Sequence, residues 1–243
     1  MRVMVFSEKL PTLVLLAGGL ATRLRPITTT IPKSMVEVAG EPFIAHQLRL
    51  AVHQGVRDIV LCVGYLGEQI ESFVGDGARF GCKVRYSYDG PDLLGTGGAL
   101  ASALPLLDQD FMVMYGDSYL DVRLSPIYEA FQQSGKPALM VVFRNEGLWD
   151  YSNVEFSNDK IHRYSKINRT PKMHYIDYGF GVLKSDLIRE WALKGRFDLA
   201  NLYGSLVDEY CLAGYEVHNR FYEIGSPDGL RETDAYLRNR ISK

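Results

Sequence analysis

Apolar positions follow two different periodicities along the first 145 residues. Five short runs dominated by apolar residues predict strands: TLVLLAG, RDIVLCV, CKVRYSY, FMVMYGD and ALMVVF. Between them, helical spacing predicts helices that begin near Phe43, within LGEQIESFVG, on the glycines of GTGGALASALPLL, and near Ile127. This alternation predicts an α/β fold in layers, with a mainly parallel sheet.

After Asn145 the pattern changes. The segments NVEF and KIHRY flank the turn SND and predict a hairpin, and YIDYGFGVL predicts a further strand. Two helices should follow, then RFYEIG and a last helix with Ser226 as its cap and Pro227 at its first position. No repeat or flexible linker interrupts the chain, so we expect residues 1–243 to form one domain.

The amino-acid composition limits which partners, compartment and metal sites are expected for this protein. The chain has 243 residues, 47% of them hydrophobic, and a formal net charge of -2. A near-neutral chain predicts neither a nucleic-acid partner nor a membrane surface as partner. The odd number of cysteines, three, without a CxxC pair, indicates a reducing cytoplasm. The five histidines show no metal-ligand spacing, and His46 and His53 are expected on a helix surface.

The stretch LVLLAGGLATRLRPITTTIPKSM, residues 13–35, holds the strongest chemical signal. Gly18 and Gly19 leave the end of a predicted strand, where ligands of doubly wound sheets bind. Arg23, Arg25 and Lys33 follow, and no acidic residue occurs from Leu10 to Val36. The stretch predicts a phosphate site. It lacks the G-K-[ST] of a Walker loop, and the chain shows no complete G-x-G-x-x-G fingerprint, which argues against an NAD-dependent oxidoreductase.

The whole string resembles the signature of the sugar-phosphate nucleotidylyltransferases, GGxGTRLxPxTxxxPKPM. The matching residues are Gly18, Gly19, Thr22, Arg23, Leu24, Pro26, Thr28, Pro32, Lys33 and Met35. Two positions depart: Ala21 replaces a glycine, which is strained if its φ is positive, and Ser34 replaces a proline. The resemblance implies a single-domain Rossmann-like three-layer fold of the nucleotide-diphospho-sugar transferase type, with a mixed, mainly parallel sheet.

The resemblance also implies an organisation of the domain. Residues 1–11 would be an N-terminal extension, about 12–120 the nucleotide-binding part and about 121–243 the sugar-binding part. The chain would end about where the catalytic domain ends, without a fused acyltransferase. The implied nucleotide-binding residues are Leu16, Ala17, Gly18, Gly19, Thr22, Ser87, Gly95 and Thr96. Base choice would depend on residues 87–96.

Carried over residue by residue, the resemblance assigns the remaining site. Arg23, Lys33, Asp117 and Lys166 would be catalytic, and Asp117 and Glu223 would bind Mg²⁺, although Glu223 stands in a slot that usually holds an aspartate. The implied sugar-phosphate residues are Glu155, Lys166, Tyr178 and Gly179.

The implied reaction joins a nucleoside triphosphate to a sugar 1-phosphate and releases pyrophosphate. Arg23 would hold the pyrophosphate together with the Gly18-Gly19 loop, and no general base would be needed. LGTGGAL looks most like the D-glycero-D-manno-heptose 1-phosphate guanylyltransferases of surface-glycan synthesis, which favours GTP and a heptose or hexose 1-phosphate. Uridylyl-, thymidylyl- and cytidylyltransferases of the family remain alternatives, as does a non-catalytic regulatory subunit. Homo-oligomerisation is left open.

Overall fold

One mixed sheet of nine strands organises the protein. The structure is a computed structural model and describes residues 9–90 and 94–241; residues 1–8 of the predicted N-terminal extension and 91–93 of the predicted base segment lie outside the described residues. The strands are β1 Leu13–Leu16, β2 Glu37–Val38, β3 Glu41–Pro42, β4 Asp58–Val63, β5 Lys83–Tyr88, β6 Asp110–Tyr115, β7 Ser118–Tyr119, β8 Ala138–Arg144, β9 Val154–Ser157, β10 Lys160–Tyr164, β11 Tyr175–Lys184, β12 Leu212–Val217 and β13 Tyr222–Glu223. The helices are α1 Phe43–His53, α2 Gly67–Val74, α3 Gly95–Ala103, α4 Leu124–Ser134, α5 Ser185–Ala192, α6 Leu199–Asp208 and α7 Pro227–Ile241.

The sheet order confirms the α/β prediction. Along β10-β9-β11-β6-β1-β4-β5, the strands β6, β1, β4 and β5 are parallel, whereas β11 runs antiparallel to β6, β8 and β9. Strand β8 pairs with β11 and, in parallel, with β12. The prediction missed β12, because LAGYEV has neither strict alternation nor a continuous apolar run.

Helices cover both faces of the sheet, which makes the fold a three-layer one. Leu13 and Leu15 of β1 point into a core with Ile44 of α1 and Ile70 of α2. Val14 points to the opposite core, which includes Leu100 of α3. Each of these side chains is at most 1% exposed, and burial of such a side chain stabilises the fold by about 1.5–3 kcal/mol. The two cores hold the ends of the strands in place.

A third, smaller core fixes the last helix beside the strand ends. Leu237 of α7 packs with Phe43, Tyr119 and Ile224. Ser226 caps α7 as predicted, since its Oγ accepts a hydrogen bond from the Gly229 N–H at 3.0 Å. Helix α7 therefore lies next to the short β7–β13 ladder that follows β6.

Candidate active site

Two cavities open at the carboxyl ends of the parallel strands. The first, which we call the glycine cavity, has a volume of about 250 Å³. Its lining comes from the ends of β1 and β6 and the start of α3: Leu16, Ala17, Gly18, Gly19, Lys33, Ser34, Cys62, Asp89, Gly95, Thr96, Ala99, Tyr115, Gly116 and Asp117. Six of the eight predicted nucleotide-binding residues thus lie around one space, at the edge of the sheet where ligands of such folds bind.

The second cavity, the aromatic cavity, is larger, at about 560 Å³. Its lining is Arg23, Tyr115, Asp117, Ser118, Trp149, Asp150, Tyr151, Asn153, Lys166, Arg169, Ile176, Asp177, Tyr178, Gly179, Phe221, Glu223 and Ser226. It includes three cations and five aromatic residues. Small-molecule sites usually measure about 300–1,000 Å³, so the volume of the aromatic cavity lies within this range and that of the glycine cavity lies just below it.

The two cavities meet at Tyr115 and Asp117, which line both. Asp117 follows β6, and its Oδ2 lies 2.8 Å from the Lys33 Nζ in an ion pair that bridges 84 positions of sequence. The Ser118 hydroxyl donates a weaker hydrogen bond, at 3.3 Å, to the other carboxylate oxygen. Ligands bound in the two cavities would therefore lie on opposite sides of the Asp117 carboxylate, which is paired with the Lys33 cation.

Glu223 is brought next to Asp117 by the β7–β13 ladder. Glu223 pairs with Ser118 in register, and the Ile224 N–H donates to the Asp117 carbonyl at 2.9 Å. The Glu223 carboxylate accepts hydrogen bonds from the Gly225 N–H and from the Ser226 hydroxyl. The start of α7 therefore orients this carboxylate.

The donor set of Asp117 and Glu223 fits Mg²⁺. A Cβ on Gly225 would lie 2.5 Å from the Glu223 Oε2 and 3.4 Å from the Asp117 Oδ2, so glycine keeps the space between two carboxylates free. Mg²⁺ usually takes one or two carboxylates and completes its shell with phosphate oxygens and water. Within residues 9–90 and 94–241, no group of three or more His, Cys, Asp and Glu side chains is arranged to hold a metal ion.

The loop that follows β1 contains the candidate strained position, Ala21. Ala21 has φ 48° and ψ 43°, the left-handed conformation for which the glycine of the signature is suited. Thr22 and Arg23 lie on the short 3₁₀ turn that follows. Arg23 lines the aromatic cavity and one of its terminal nitrogens would lie 3.4 Å from a Cβ on Gly225, whereas Gly18 and Gly19 line the glycine cavity. Arg23 therefore lies beside the carboxylates, and its joint role with the glycine loop in holding pyrophosphate stays a prediction.

The second glycine loop is shaped mainly by packing against the segment before α6. Gly95 has φ 74°, and a Cβ on Gly97 would collide with the Phe197 ring. The Thr96 hydroxyl accepts the Leu199 N–H at 2.8 Å and lies 3.3 Å from an Asp198 carboxylate oxygen. Thr96 is therefore held by a neighbouring loop while it lines the glycine cavity.

The glycine cavity is lined by two residues that the sequence analysis did not assign to the site. Ser87 is buried and is not among the cavity-lining residues, whereas Asp89 is, and its carboxylate lies against Gly18. Burial raises the pKa of Asp89. Ser34 also lines the cavity, with a buried hydroxyl that has no hydrogen-bond partner in the protein. Asp89 carried no periodic or motif signal of its own, whereas Ser34 stood out only as a departure from the signature.

Of the four predicted sugar-phosphate residues, three line the aromatic cavity. Glu155 instead accepts a hydrogen bond from Thr170 at 2.5 Å and lies outside the cavity lining. Tyr178 lines the cavity, but its ring packs against Phe143 and Phe221 and its buried hydroxyl has no protein partner. The Lys166 Nζ lies 5.4 Å from the centre of the Tyr115 ring, at the junction of the cavities.

The aromatic cavity also contains polar residues that the sequence did not single out. Asp177 accepts hydrogen bonds from the Tyr164 hydroxyl at 3.2 Å and the Gly179 N–H at 3.0 Å, and its own N–H donates to Asn153. Burial raises the pKa of Asp177, and the nearby Lys166 acts in the opposite direction. These residues are far apart in sequence from Asp117, and only the topology brings them to one cavity.

Two other expectations concern His46 and the cysteines. His46 is buried, with Nε2 2.7 Å from the Val38 carbonyl, so its predicted surface position is wrong; a polar residue on a helix can be buried when a carbonyl satisfies it. Cys62 lines the glycine cavity, but burial raises its pKa to about 12, which makes it a poor nucleophile.

None of the helices in the described ranges has the length and apolar character needed to cross a membrane.

The chain is similar in sequence to known nucleotidyltransferases. A model of the family described as Nucleotidyl transferase matches residues 12–195. The chain is 30% identical over 233 residues to the mannose-1-phosphate guanylyltransferase catalytic subunit beta of Danio rerio, covering 93% of this chain and 64% of that protein. It is 38% identical over 117 residues to the N-acetylmuramate alpha-1-phosphate uridylyltransferase of Neisseria meningitidis, covering 48% of this chain and 51% of that protein.

The fold has close counterparts among solved structures. The structure of HddC from Yersinia pseudotuberculosis complexed with GMP-PN superposes with a TM-score of 0.78 at 23% identity, covering 94% of this chain and all of that chain. At this identity the likeness shows the fold. The fold prediction, a Rossmann-like nucleotide-diphospho-sugar transferase type, is therefore confirmed.

Proposed function

The chain belongs to the nucleotidyl transferase family, and we propose that it transfers a nucleotidyl group from a nucleoside triphosphate to a sugar 1-phosphate, releasing pyrophosphate. The observation that carries this proposal is the meeting of two cavities at Asp117. A two-substrate transfer needs each substrate in its own site, with the reacting groups in contact. We assign the triphosphate to the glycine cavity and the sugar 1-phosphate to the aromatic cavity.

Nucleotidyl transfer of this kind depends on the positioning of the two substrates more than on proton transfer. An oxygen of the sugar phosphate is already anionic at neutral pH, so it can attack the α-phosphorus without a general base. Lys166 holds this nucleophile, and Lys33, 2.8 Å from Asp117, neutralises charge near the reacting phosphorus. The backbone of Gly18 and Gly19 approaches the phosphates without side-chain obstruction, and Arg23 reaches the junction from the side of the aromatic cavity.

Asp117 and Glu223 would hold Mg²⁺ at the junction. When bound, the ion supplies positive charge that stabilises the phosphate oxygens in the transition state. The protein's own contribution is the orientation of Glu223 by the start of α7 and of Asp117 by Lys33 and Ser118.

We favour GTP as the nucleotide. Asp89 supports this choice, because a carboxylate accepts hydrogen bonds and guanine presents two adjacent donors, N1–H and the 2-amino group. Uracil and thymine present one N–H between two carbonyl oxygens. Relatives with guanylyl and with uridylyl specificity both match the chain, so UTP, dTTP and CTP belong in the test.

The sugar is a heptose or hexose 1-phosphate in this proposal, and the product would serve surface-glycan or cell-wall precursor synthesis. We place the reaction in the cytoplasm, because Cys62, Cys82 and Cys211 are all free thiols.

The test is pyrophosphate release with Mg²⁺ from a matrix of GTP, UTP, dTTP, CTP and ATP against heptose, hexose and amino-sugar 1-phosphates. Release with one pair would establish the activity and identify both substrates. Asp117→Asn should abolish that release while its circular dichroism spectrum and melting temperature stay close to wild type. No release from any pair, with a nucleotide still raising the melting temperature, would refute the enzymatic function in favour of a regulatory nucleotide-binding subunit.

A further inference from the structure

The turn between β6 and β7 forms a wall that the two cavities share. We call residues 115–118 the junction turn. Tyr115 and Asp117 line both cavities, Gly116 lines the glycine cavity, and Ser118 lines the aromatic cavity. A shift of this turn would therefore move the Asp117 carboxylate relative to ligands in both cavities.

A buried glutamine of α1 bonds to both sides of the junction turn. Gln47 has no exposed surface, and its Nε2 donates to the Ser118 carbonyl at 2.8 Å and to the Tyr115 carbonyl at 3.2 Å. These carbonyls flank Gly116 and Asp117, and they lie 71 and 68 positions from Gln47 in sequence. Because both neighbours are acceptors, the amide must present its NH₂ group to them. One side-chain amide therefore bridges the base of the turn.

Backbone hydrogen bonds support the junction turn from other directions. The Gly116 N–H donates to the Leu16 carbonyl at 3.0 Å, and the Asp117 carbonyl accepts the Ile224 N–H at 2.9 Å. A Cβ on Gly116 would lie 2.7 Å from the Leu16 carbonyl oxygen, so the turn packs directly on the end of β1. Gln47 adds support from the helix layer to these contacts with strand ends.

The amide of Gln47 lies on the apolar face of its helix. Ile44 and Ala51, three residues before and four residues after it, are buried in the core. The Gln47 Oε1 is buried and has no hydrogen-bond partner among the described residues, which carries a desolvation cost. An apolar side chain of similar size would avoid this cost, but it could not donate to the two carbonyls of the turn. The position therefore requires the NH₂ group.

We propose that Gln47 is a positioning residue, which fixes the junction turn so that the Asp117 carboxylate stays aligned with the reacting groups. The inference rests on the proposed function for the role of Asp117. The signal available in the sequence was a glutamine among the apolar positions of the helix predicted to begin near Phe43.

Amide hydrogen exchange tests the structural half of this inference. Gln47→Met keeps the length of the side chain and removes both donors. Exchange of the Gly116 and Ile224 N–H groups should become about tenfold faster, as expected from the loss of two hydrogen bonds. Gln69→Met is the matched control, because the Gln69 Nε2 donates to the Thr30 carbonyl at 3.0 Å, which is not part of the junction turn. Unchanged exchange at both amides in Gln47→Met would overturn the proposal.

A second variant covers the case in which Gln47→Met does not fold. Gln47→Asn keeps a polar amide but is one methylene shorter, so it cannot bridge the Tyr115 and Ser118 carbonyls from the same backbone position. The same two amides should exchange faster than in wild type. Wild-type exchange rates in Gln47→Asn would overturn the proposal equally.

Steady-state kinetics test the catalytic half. Groups that orient a metal-binding carboxylate typically change activity by about ten- to a hundredfold when they are removed, so kcat of Gln47→Met should fall by this factor. KM for both substrates should stay within about twofold of wild type, because residues such as Gly18 and Lys166 still line the cavities.

Leu48→Val controls for a loss of stability in the same helix. Leu48 has no exposed surface, so this variant should lower Tm without lowering kcat. A fall in kcat for Gln47→Met no larger than that for Leu48→Val would overturn the positioning role. If wild-type protein releases no pyrophosphate, the proposed function is refuted, and amide exchange alone decides whether Gln47 fixes the turn.

Discussion

At the scale of single residues, backbone conformation limits what the site can hold. Ala21 occupies a left-handed conformation, and Gly225 leaves open the space between Glu223 and Asp117. The sequence marked the first as a place of strain on the condition that φ is positive, because a signature glycine was missing at that position. The sequence could not predict the second. Asp117 precedes Gly225 by 108 positions, and only the β7–β13 ladder brings the two residues close together.

Ala21→Gly should stabilise the protein. Glycine adopts the left-handed conformation without steric cost, which outweighs the extra entropy of the unfolded chain by about 0.5–1 kcal/mol. The expected gain in Tm is about 1–4 °C by thermal unfolding. Ala101→Gly, within helix α3, is the control and should lower Tm. A lower Tm for Ala21→Gly would show that the loop is not strained.

Asp177→Asn should make stability less sensitive to pH. Burial raises the pKa of this carboxyl in the folded state, so its contribution to stability is present below the unfolded-state pKa and is lost as pH rises through the folded-state pKa. The Tm of the variant relative to wild type should therefore increase between pH 4 and pH 8. Asp159→Asn, at an exposed position in the β9–β10 turn, controls for the loss of one surface carboxylate. A constant Tm difference across this range would contradict the account.

At the scale of elements, periodicity predicted most strands and helices but none of their irregularities. Strand β11 appeared as one apolar segment, yet its register with β8 shifts between Asp177 and Gly181. Gly179, with φ 86°, lies in this shift beside Tyr115. The irregularity places Asp177, Tyr178 and Gly179 on the aromatic cavity, which a period-two pattern cannot show.

Gly179→Ala should weaken sugar binding and stability together. Alanine is strained at φ 86°, and its Cβ would lie 3.2 Å from the Tyr115 ring at the cavity junction. We expect a loss of about 1–2 kcal/mol in the free energy of unfolding and a several-fold higher KM for the sugar 1-phosphate. Gly204→Ala in α6 is the control, because no atom lies within 4 Å of its Cβ and alanine favours helices. Equal stability changes for the two variants would contradict this interpretation.

At the scale of the whole molecule, the last helix is part of the candidate site. Thr233 of α7 has no exposed surface and donates to the Glu223 carbonyl at 2.8 Å, and Asp234 accepts the Ala39 N–H at 2.7 Å. The family model ends at residue 195, before α7. The sequence predicted this helix and its Ser226 cap, whereas its contacts with Glu223 depend on packing between distant segments.

Thr233→Val should loosen Glu223 while preserving side-chain volume. Loss of the buried hydrogen bond should cost about 1–2 kcal/mol and lower Tm by about 2–8 °C. The Mg²⁺ concentration for half-maximal turnover should rise several-fold, because the carboxylate is less well oriented. Thr30→Val, at an exposed position, should change neither quantity. An unchanged Mg²⁺ requirement in a destabilised Thr233→Val protein would limit Thr233 to a structural role.

In the proposed reaction, two substrates meet at Asp117 from separate cavities. The most direct measurement is a crystal structure with the nucleotide sugar formed in the turnover assay. We predict the base and ribose in the glycine cavity, the sugar beside Trp149 in the aromatic cavity, and the diphosphate between them next to Lys33, Asp117 and Lys166. A nucleotide sugar bound entirely within one cavity, or with its diphosphate away from Asp117, would contradict the account.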